Sequence, residues 1–121
     1  MQNSFLSFGL FGVKDLKKFK FKLVRFFFLF GRKKYIRADH AHKICNQIII
    51  PIRGKIKITT YKNKKKRIFM LSKLKNQALF VPTLTWIRIN FSSDDDCLLT
   101  LCSYKYDKNE YISSFEKFKK K

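Results

Sequence analysis

Hydrophobic and polar positions in this chain fall into short runs, most with a period of two. Phe19-Lys-Phe-Lys-Leu23 alternates strictly, the pattern of a strand with one face buried. Phe26-Phe-Phe-Leu-Phe30 is a continuous apolar run closed by Gly31 and the basic cluster Arg32-Lys33-Lys34. That run is too short for a helix and predicts a strand buried on both faces. Ile48-Ile-Ile-Pro-Ile52 leads into a turn at Arg53-Gly54, after which Lys55-Ile-Lys-Ile-Thr59 resumes the alternation. Lys62 to Arg67 reads as a solvated hairpin tip, followed by Ile68-Phe-Met-Leu71. Ala78-Leu-Phe-Val81 stops at Pro82, and Thr85 to Phe91 alternates again. Ser92 to Asp96 is a polar turn, and Cys97 to Cys102 is another buried run. Only the tail, Asn109 to Lys120, predicts a helix, with Tyr111, Ile112, Phe115 and Phe118 on its apolar side. About eight or nine short, evenly spaced strands predict an all-β sandwich or small barrel. No repeat or Gly/Ser linker interrupts the pattern, so one domain over residues 1–121 is expected.

Charge changes the picture of the surface. The chain has 121 residues and 28 Lys+Arg against 8 Asp+Glu, a formal net charge of +20. Residues 1–67 hold 19 of those basic residues and, of the acids, only Asp15 and Asp39. Such a balance attracts phosphate backbones non-specifically and invites a nucleic-acid reading. Yet 22 of the basic residues are Lys, beside 14 Phe, and a lysine bias of this kind decorates any fold. Most aromatics lie in buried-looking strands rather than beside the lysine clusters, unlike a nucleic-acid stacking platform. The longest apolar run, Phe26 to Phe30, falls far short of the roughly 20 residues that span a bilayer. Met1 to Val13 is apolar but has no positive leading segment and no small-residue cleavage site, so no signal peptide is expected. Cys45, Cys97 and Cys102 lack CxxC spacing and suit buried thiols in a reducing cytoplasm.

Chemistry centres on the only two histidines, His40 and His42. Residues two apart in a strand share a face, so both imidazoles would project together. Paired imidazoles suit proton transfer or metal ligation, since both titrate near neutral pH. The downstream spacing is His40-x-His42-x(4)-Gln47-x(6)-Gly54. It resembles the first cupin metal motif, HxHx(3,4)Ex(6)G, with Gln47 replacing the carboxylate. The region after Pro82 carries Trp86 and Arg88 but no third histidine. Two histidines, an amide and a tryptophan make a poor metal site, so no metal or other cofactor is expected.

The resemblance narrows to the nucleotide-sugar 3,4-ketoisomerases, the WxcM-like group of cupins. Phe19 to Gly31, with Arg25, resembles the segment IPFxIKRVYYIFG. Arg37-Ala-Asp-His40-Ala-His42-Lys43 with Gln47 and Gly54 resembles RGxHAHKxxxQ and its glycine turn. Leu79 to Trp86 resembles LYIPPxxW, and Leu101 to Ile112 resembles LASxxYDExDYI. The match covers about residues 9–118. The resemblance implies a cupin-type jelly roll with a short C-terminal helix. It further implies conversion of a dTDP-linked 4-keto-6-deoxyhexose to its 3-keto isomer through an enediol, without metal.

On that reading His42 is the base and His40 an orienting partner, shuttle or second acid. Arg25 and Arg37 would hold the diphosphate, because guanidinium forks suit phosphate oxygens. Phe28, Gln47, Trp86 and Tyr106 complete the candidate substrate-binding set, Trp86 as a wall or a core residue. Tyr106 and Asp107 would also close the chain before the terminal helix. Phe27 and Phe28 stand where the family pattern includes tyrosine and offer no hydroxyl. Asp39 adds a carboxylate beside the histidines, with its side chain expected to face away. The resemblance implies a cytoplasmic homodimer that exchanges N-terminal strands, giving the apolar segment Ser4 to Val13 a place to go. A related epimerase, an inert cupin sugar-binding module and a basic nucleic-acid-binding protein are the alternatives.

Overall fold

A computed structural model describes residues 6–120, so Ser4 and Phe5 of the apolar N-terminal segment lie outside the described residues. Ten strands and one helix follow in order: β1 (Gly9–Gly12), β2 (Arg25–Phe30), β3 (Ile36–His42), β4 (Gln47–Arg53), β5 (Lys55–Lys62), β6 (Lys65–Ser72), β7 (Gln77–Val81), β8 (Trp86–Phe91), β9 (Cys97–Cys102), β10 (Tyr111–Ile112) and α1 (Phe115–Lys119). The strands form two antiparallel sheets, ordered β1-β7-β4-β9-β2 and β10-β3-β8-β5-β6. The fold is all-β, in two sheets with a short C-terminal helix.

Alternation sets the layers. Inward residues of both sheets, among them Ile49, Leu79, Val81 and Leu98 facing Ile56, Ile58, Leu71, Ile87 and Ile89, make the central core. A second cluster lies on the outer face of the β3–β8 sheet, where Ala41, Trp86 and Ile112 pack against Phe118 of α1. Ser114 starts that helix by accepting the Lys117 N–H at 3.3 Å. A third lies outside the other sheet, where Ile48, Ile50, Ala78 and Phe80 are covered by Phe11, Val13, Leu16 and Phe21. This third layer explains why β4 reads as a continuous apolar run: both of its faces are buried.

Three expected elements differ. Phe19 to Leu23 forms no strand. Phe19 instead packs edge-on to Phe11 and Phe21 edge-on to Phe80, so the alternating phenylalanines strap the segment across the sheet. Phe26 to Phe30 is a strand but is not buried on both faces. It pairs only with β9, at the sheet edge, and leaves Phe26, Phe28 and Phe30 60%, 47% and 62% exposed. The helix expected over 109–120 shrinks to Phe115–Lys119, because residues 108–110 form a 3₁₀ turn and Tyr111–Ile112 join the sheet beside β3.

Turn chemistry holds the ends. The β5–β6 hairpin turns through Asn63 and Lys64, with φ of 53° and 63°, the paired left-handed residues of a two-residue hairpin loop. Asp96 caps the β8–β9 turn by accepting from Ser92 N (2.8 Å), Ser93 N (3.0 Å) and Ser92 Oγ (2.7 Å). Gly54 lies against that carboxylate with φ 86°, and a Cβ there would sit 1.8 Å from Asp96 Oδ1. Gly54→Ala should therefore destabilise the chain by at least about 2 kcal/mol in urea unfolding, from left-handed strain plus the clash. Gly12→Ala, whose nearest new contact is 3.4 Å away, should change stability by less than about 1 kcal/mol.

Candidate active site

Strand β3 carries the site, and a bulge sets its faces. Ala38 and Asp39 have φ of 67° and 60°, and the pairing with β8 shifts register between Ala38 and His40. Strict alternation would put Arg37 and His40 on opposite faces. The bulge brings both, with Ala38, to the wall of one cavity of about 240 Å³ between the sheets. Left-handed non-glycine residues cost about 1–2 kcal/mol each. Part of this is offset on the outer face, where Asp39 Oδ1 accepts from Trp86 Nε1 (2.9 Å) and Arg88 Nε (3.1 Å). Gln47, Phe27, Leu29 and Thr100 complete the cavity wall on the other sheet.

His42 lies next to His40, the two rings edge-to-face with centroids 4.8 Å apart, and is buried. Its Nδ1 bonds Glu110 Oε2 at 2.5 Å. Glu110 is only 2% exposed, and its other oxygen accepts the backbone N–H groups of Ile44 (2.9 Å) and Cys45 (3.1 Å). An ionised carboxylate only accepts, so the Nδ1 proton belongs to the imidazole and Nε2 holds the lone pair. That Nε2 is the one buried side-chain polar atom without a partner among the described residues.

Burial would raise the Glu110 pKa, but the Ile44 N–H, the His42 imidazole and the Cys45 N–H outweigh it and hold it below the usual carboxylate range. Burial lowers the His42 pKa, against the pull of Glu110. His40, with no such partner, is pushed down to about 4 by burial and by His42. The pair is therefore unequal, and His42 is the member with a counter-charge.

The remaining sequence candidates divide. Arg37 stands at the cavity with Nη1 donating to the Phe30 carbonyl at 3.4 Å, and buried Gln47 lines it, its amide 3.5 Å from the Cys102 sulfur. Arg25 does not line it. Its Nε donates to the Tyr104 carbonyl and its Nη2 to the Tyr111 hydroxyl, each at 3.2 Å. Tyr106 is 65% exposed and reaches the site only at its rim, 5.7 Å from the Tyr111 ring. Phe28 is corrected: β2 turns Arg25, Phe27 and Leu29 inward, so Phe27 lines the cavity and Phe28 faces outward. Trp86 is likewise corrected. It packs under Phe115 and Phe118 on the outer face, the core role rather than the pocket wall.

Sequence reasoning missed Glu110 and Tyr111. Tyr111 is the direct cross-strand partner of His42, and its ring lies 4.3 Å from His42 and 4.9 Å from His40. Both residues stand in the block resembling LASxxYDExDYI, but reading 109–120 as a helix hid their place beside β3. His42, Cys45 and Glu110 also bring donor atoms within 4.8 Å of one another. They do not fit a resident metal: His42 Nδ1 and both Glu110 oxygens are already hydrogen-bonded. A hydrogen bond with Cys102, then burial, raises the Cys45 thiol, keeping it protonated. No helix among the described residues is long and apolar enough to cross a membrane.

A double antiparallel sheet with paired histidines on an inward strand defines a cupin-type domain. More narrowly, the chain belongs to the family described as FdtA: WxcM-like, C-terminal, which matches residues 6–121. A TDP-4-oxo-6-deoxy-alpha-D-glucose-3,4-oxoisomerase of Aneurinibacillus thermoaerophilus is 26% identical over 115 residues, 93% of this chain and 81% of the relative. WlaRA, a TDP-fucose-3,4-ketoisomerase from Campylobacter jejuni, superposes with a TM-score of 0.76 at 30% identity, covering 84% of this chain and 75% of that one. QdtA, a sugar 3,4-ketoisomerase from Thermoanaerobacterium thermosaccharolyticum solved with TDP, gives 0.75 at 25% identity, covering 88% and 76%.

Because the folded His40 pKa is about 4 against roughly 6.5 in an unfolded chain, the unfolded state binds the extra proton between those values. Stability should fall as pH drops from about 6.5 to 4, by up to about 3 kcal/mol from this group. Glu110, held low, adds to the loss at the acid end. Urea unfolding at pH 7 and 4.5 should show a smaller loss for His40→Asn than for the natural chain.

Proposed function

We propose that this chain is a nucleotide-sugar 3,4-ketoisomerase that moves the keto group of a dTDP-linked 4-keto-6-deoxyhexose from C4 to C3. The observation that carries the reading is the His42–Glu110 pair behind His40 at the cavity wall, in a chain of this family. The C4 carbonyl acidifies the C3–H bond, so a base near neutral pKa is enough and no metal is needed. His42 serves as the base of the pair. Its Nε2 carries a desolvated lone pair with no partner among the described residues, and Glu110 stabilises the imidazolium that forms. His40, nearer the cavity but held at about 4, passes the proton without keeping it. The proton at C3 leaves with the pair forming C3=C4, O4 is protonated, and collapse of the enediol returns a proton to C4 while O3 loses one.

At about 240 Å³ the cavity is smaller than sites for drug-sized ligands. It suits the sugar ring, leaving the nucleotide outside. Arg37 takes the diphosphate at the mouth, and Gln47 bonds the sugar or steadies a histidine. Residues 1–121 act as one cupin-like domain, in the cytoplasm, without a cofactor. The excess positive charge draws in the anionic substrate. In D₂O with dTDP-4-keto-6-deoxyglucose, NMR should show deuterium entering at C3 and a 3-keto product, and His42→Asn should slow both by about 10²–10⁴. No exchange in the natural chain, or unchanged exchange in His42→Asn, overturns the reading.

A homodimer is part of the same proposal. Phe26, Phe28 and Phe30 form an exposed apolar strip on β2, the kind of surface that a monomer rarely leaves bare. Within one chain β1 pairs with β7 from Gly9↔Phe80 to Gly12↔Gln77. An exchanged dimer would make the same register between two chains. Light scattering should give twice the chain mass, and Phe28→Lys should shift it towards one.

A further inference from the structure

An isomerase that lifts a proton from C3 must also deliver one to C4, and His42 and His40 account only for the first half. We propose that Tyr111 is the acid that protonates C4, with Arg25 holding its hydroxyl in place. This rests on the ketoisomerase reading above.

Tyr111 lies beside both imidazoles, and its hydroxyl accepts from Arg25 Nη2 at 3.2 Å. Arg25 is itself anchored by the Tyr104 carbonyl. Other polar side chains near the pair fit the task less well. Gln47 and Thr100 are not acids at neutral pH, Arg37 keeps its proton, and the Cys45 thiol is tied to Cys102. Phe27 and Phe28, where the family pattern carries tyrosine, offer no hydroxyl. Tyr111 is therefore the O–H acid touching the histidine pair. Burial raises its pKa despite Arg25, so the phenol enters the reaction protonated. The guanidinium then stabilises the phenolate left after transfer, as oriented charge does for any developing anion.

The protons balance. His42 takes the C3 proton as the C3=C4 bond forms and O4 gains a proton. The enediol then loses the O3 proton, C3=O forms, and the C3=C4 pair takes the Tyr111 proton at C4. The phenolate recovers the proton released from O3, and the proton that O4 gains is the one His42 took from C3, exchanged with water on the way, so both residues end as they began. No oxidant or second substrate is required.

Substrate deuterated at C3 separates the halves. In the natural chain, label washes into water and product forms. In Tyr111→Phe, wash-out should stay within about threefold while product falls by about 10²-fold or more, because the enediol forms but is not protonated at C4. Product at the natural rate, or wash-out and product falling together, overturns the assignment. Absence of wash-out in the natural chain itself would instead sink the ketoisomerase reading. Should Tyr111→Phe fold poorly, 3-fluorotyrosine placed at position 111 provides the second measure. A donor role moves the alkaline limb of the product-formation profile to lower pH, whereas an unmoved limb overturns the proposal.

Discussion

A carboxylate with almost no contact with water organises the site. Burying Glu110 as an anion costs several kcal/mol unless its oxygens are satisfied. Two backbone N–H groups from the β3–β4 turn satisfy one oxygen, and an imidazole N–H the other. The same three bonds fix the turn, dictate the tautomer of His42 and hold the 3₁₀ turn beside β3. Lys43 N donating to the Glu110 carbonyl at 2.8 Å completes the junction. Removing the carboxylate would leave those donors unpaired, so the turn and the charge beside His42 depend on one group.

The bulge at Ala38–Asp39 is the second constraint, and it works on both faces of the sheet at once. Two left-handed residues in a strand are unfavourable, and nothing in composition or spacing demands them. In the fold they turn Arg37 and His40 to a common cavity and send Asp39 outward to Trp86 and Arg88. The ion pair with Arg88 is exposed at both ends and worth little alone. Its value lies in joining two hydrogen bonds on one carboxylate at the bend.

Much of this was legible from residues alone. Alternation and turn residues mark most strands, and the two histidines stand side by side as their spacing of two expects, whereas Arg37 reaches the same cavity only through the bulge. What the pattern could not convey was which strand lies at an edge. An apolar run has the same letters whether it is covered on both sides, as in β4, or left open on one, as in β2. Hence Phe28 looked like a pocket residue when Phe27 was. Trp86 has the same ambiguity: a tryptophan on the strand beside the histidines can face either layer. Glu110 and Tyr111 were hidden by a helical spacing of apolar residues, Tyr111, Ile112, Phe115 and Phe118. Two apolar neighbours are too short a stretch to show a strand period, and it is the pairing of Tyr111 and Ile112 with His42 and Ala41 that makes them a strand.

That pairing has a structural consequence for the chemistry. β2 and β10 are the edge strands of their respective sheets, and Arg25 reaches from one to Tyr111 on the other. Edge strands in a two-sheet fold carry few cross-links, so their spacing is the softest dimension of the domain. Here a charged hydrogen bond spans it beside the histidines, with the Arg25 guanidinium also 5.5 Å from the Phe27 ring and 5.8 Å from that of Tyr106. Movement of the sheets at this edge would shift the phenol relative to the imidazoles on the neighbouring strand far less than it would shift Arg25. The imidazoles and the phenol thus sit on paired neighbouring strands, while the guanidinium beside them comes from the opposite sheet.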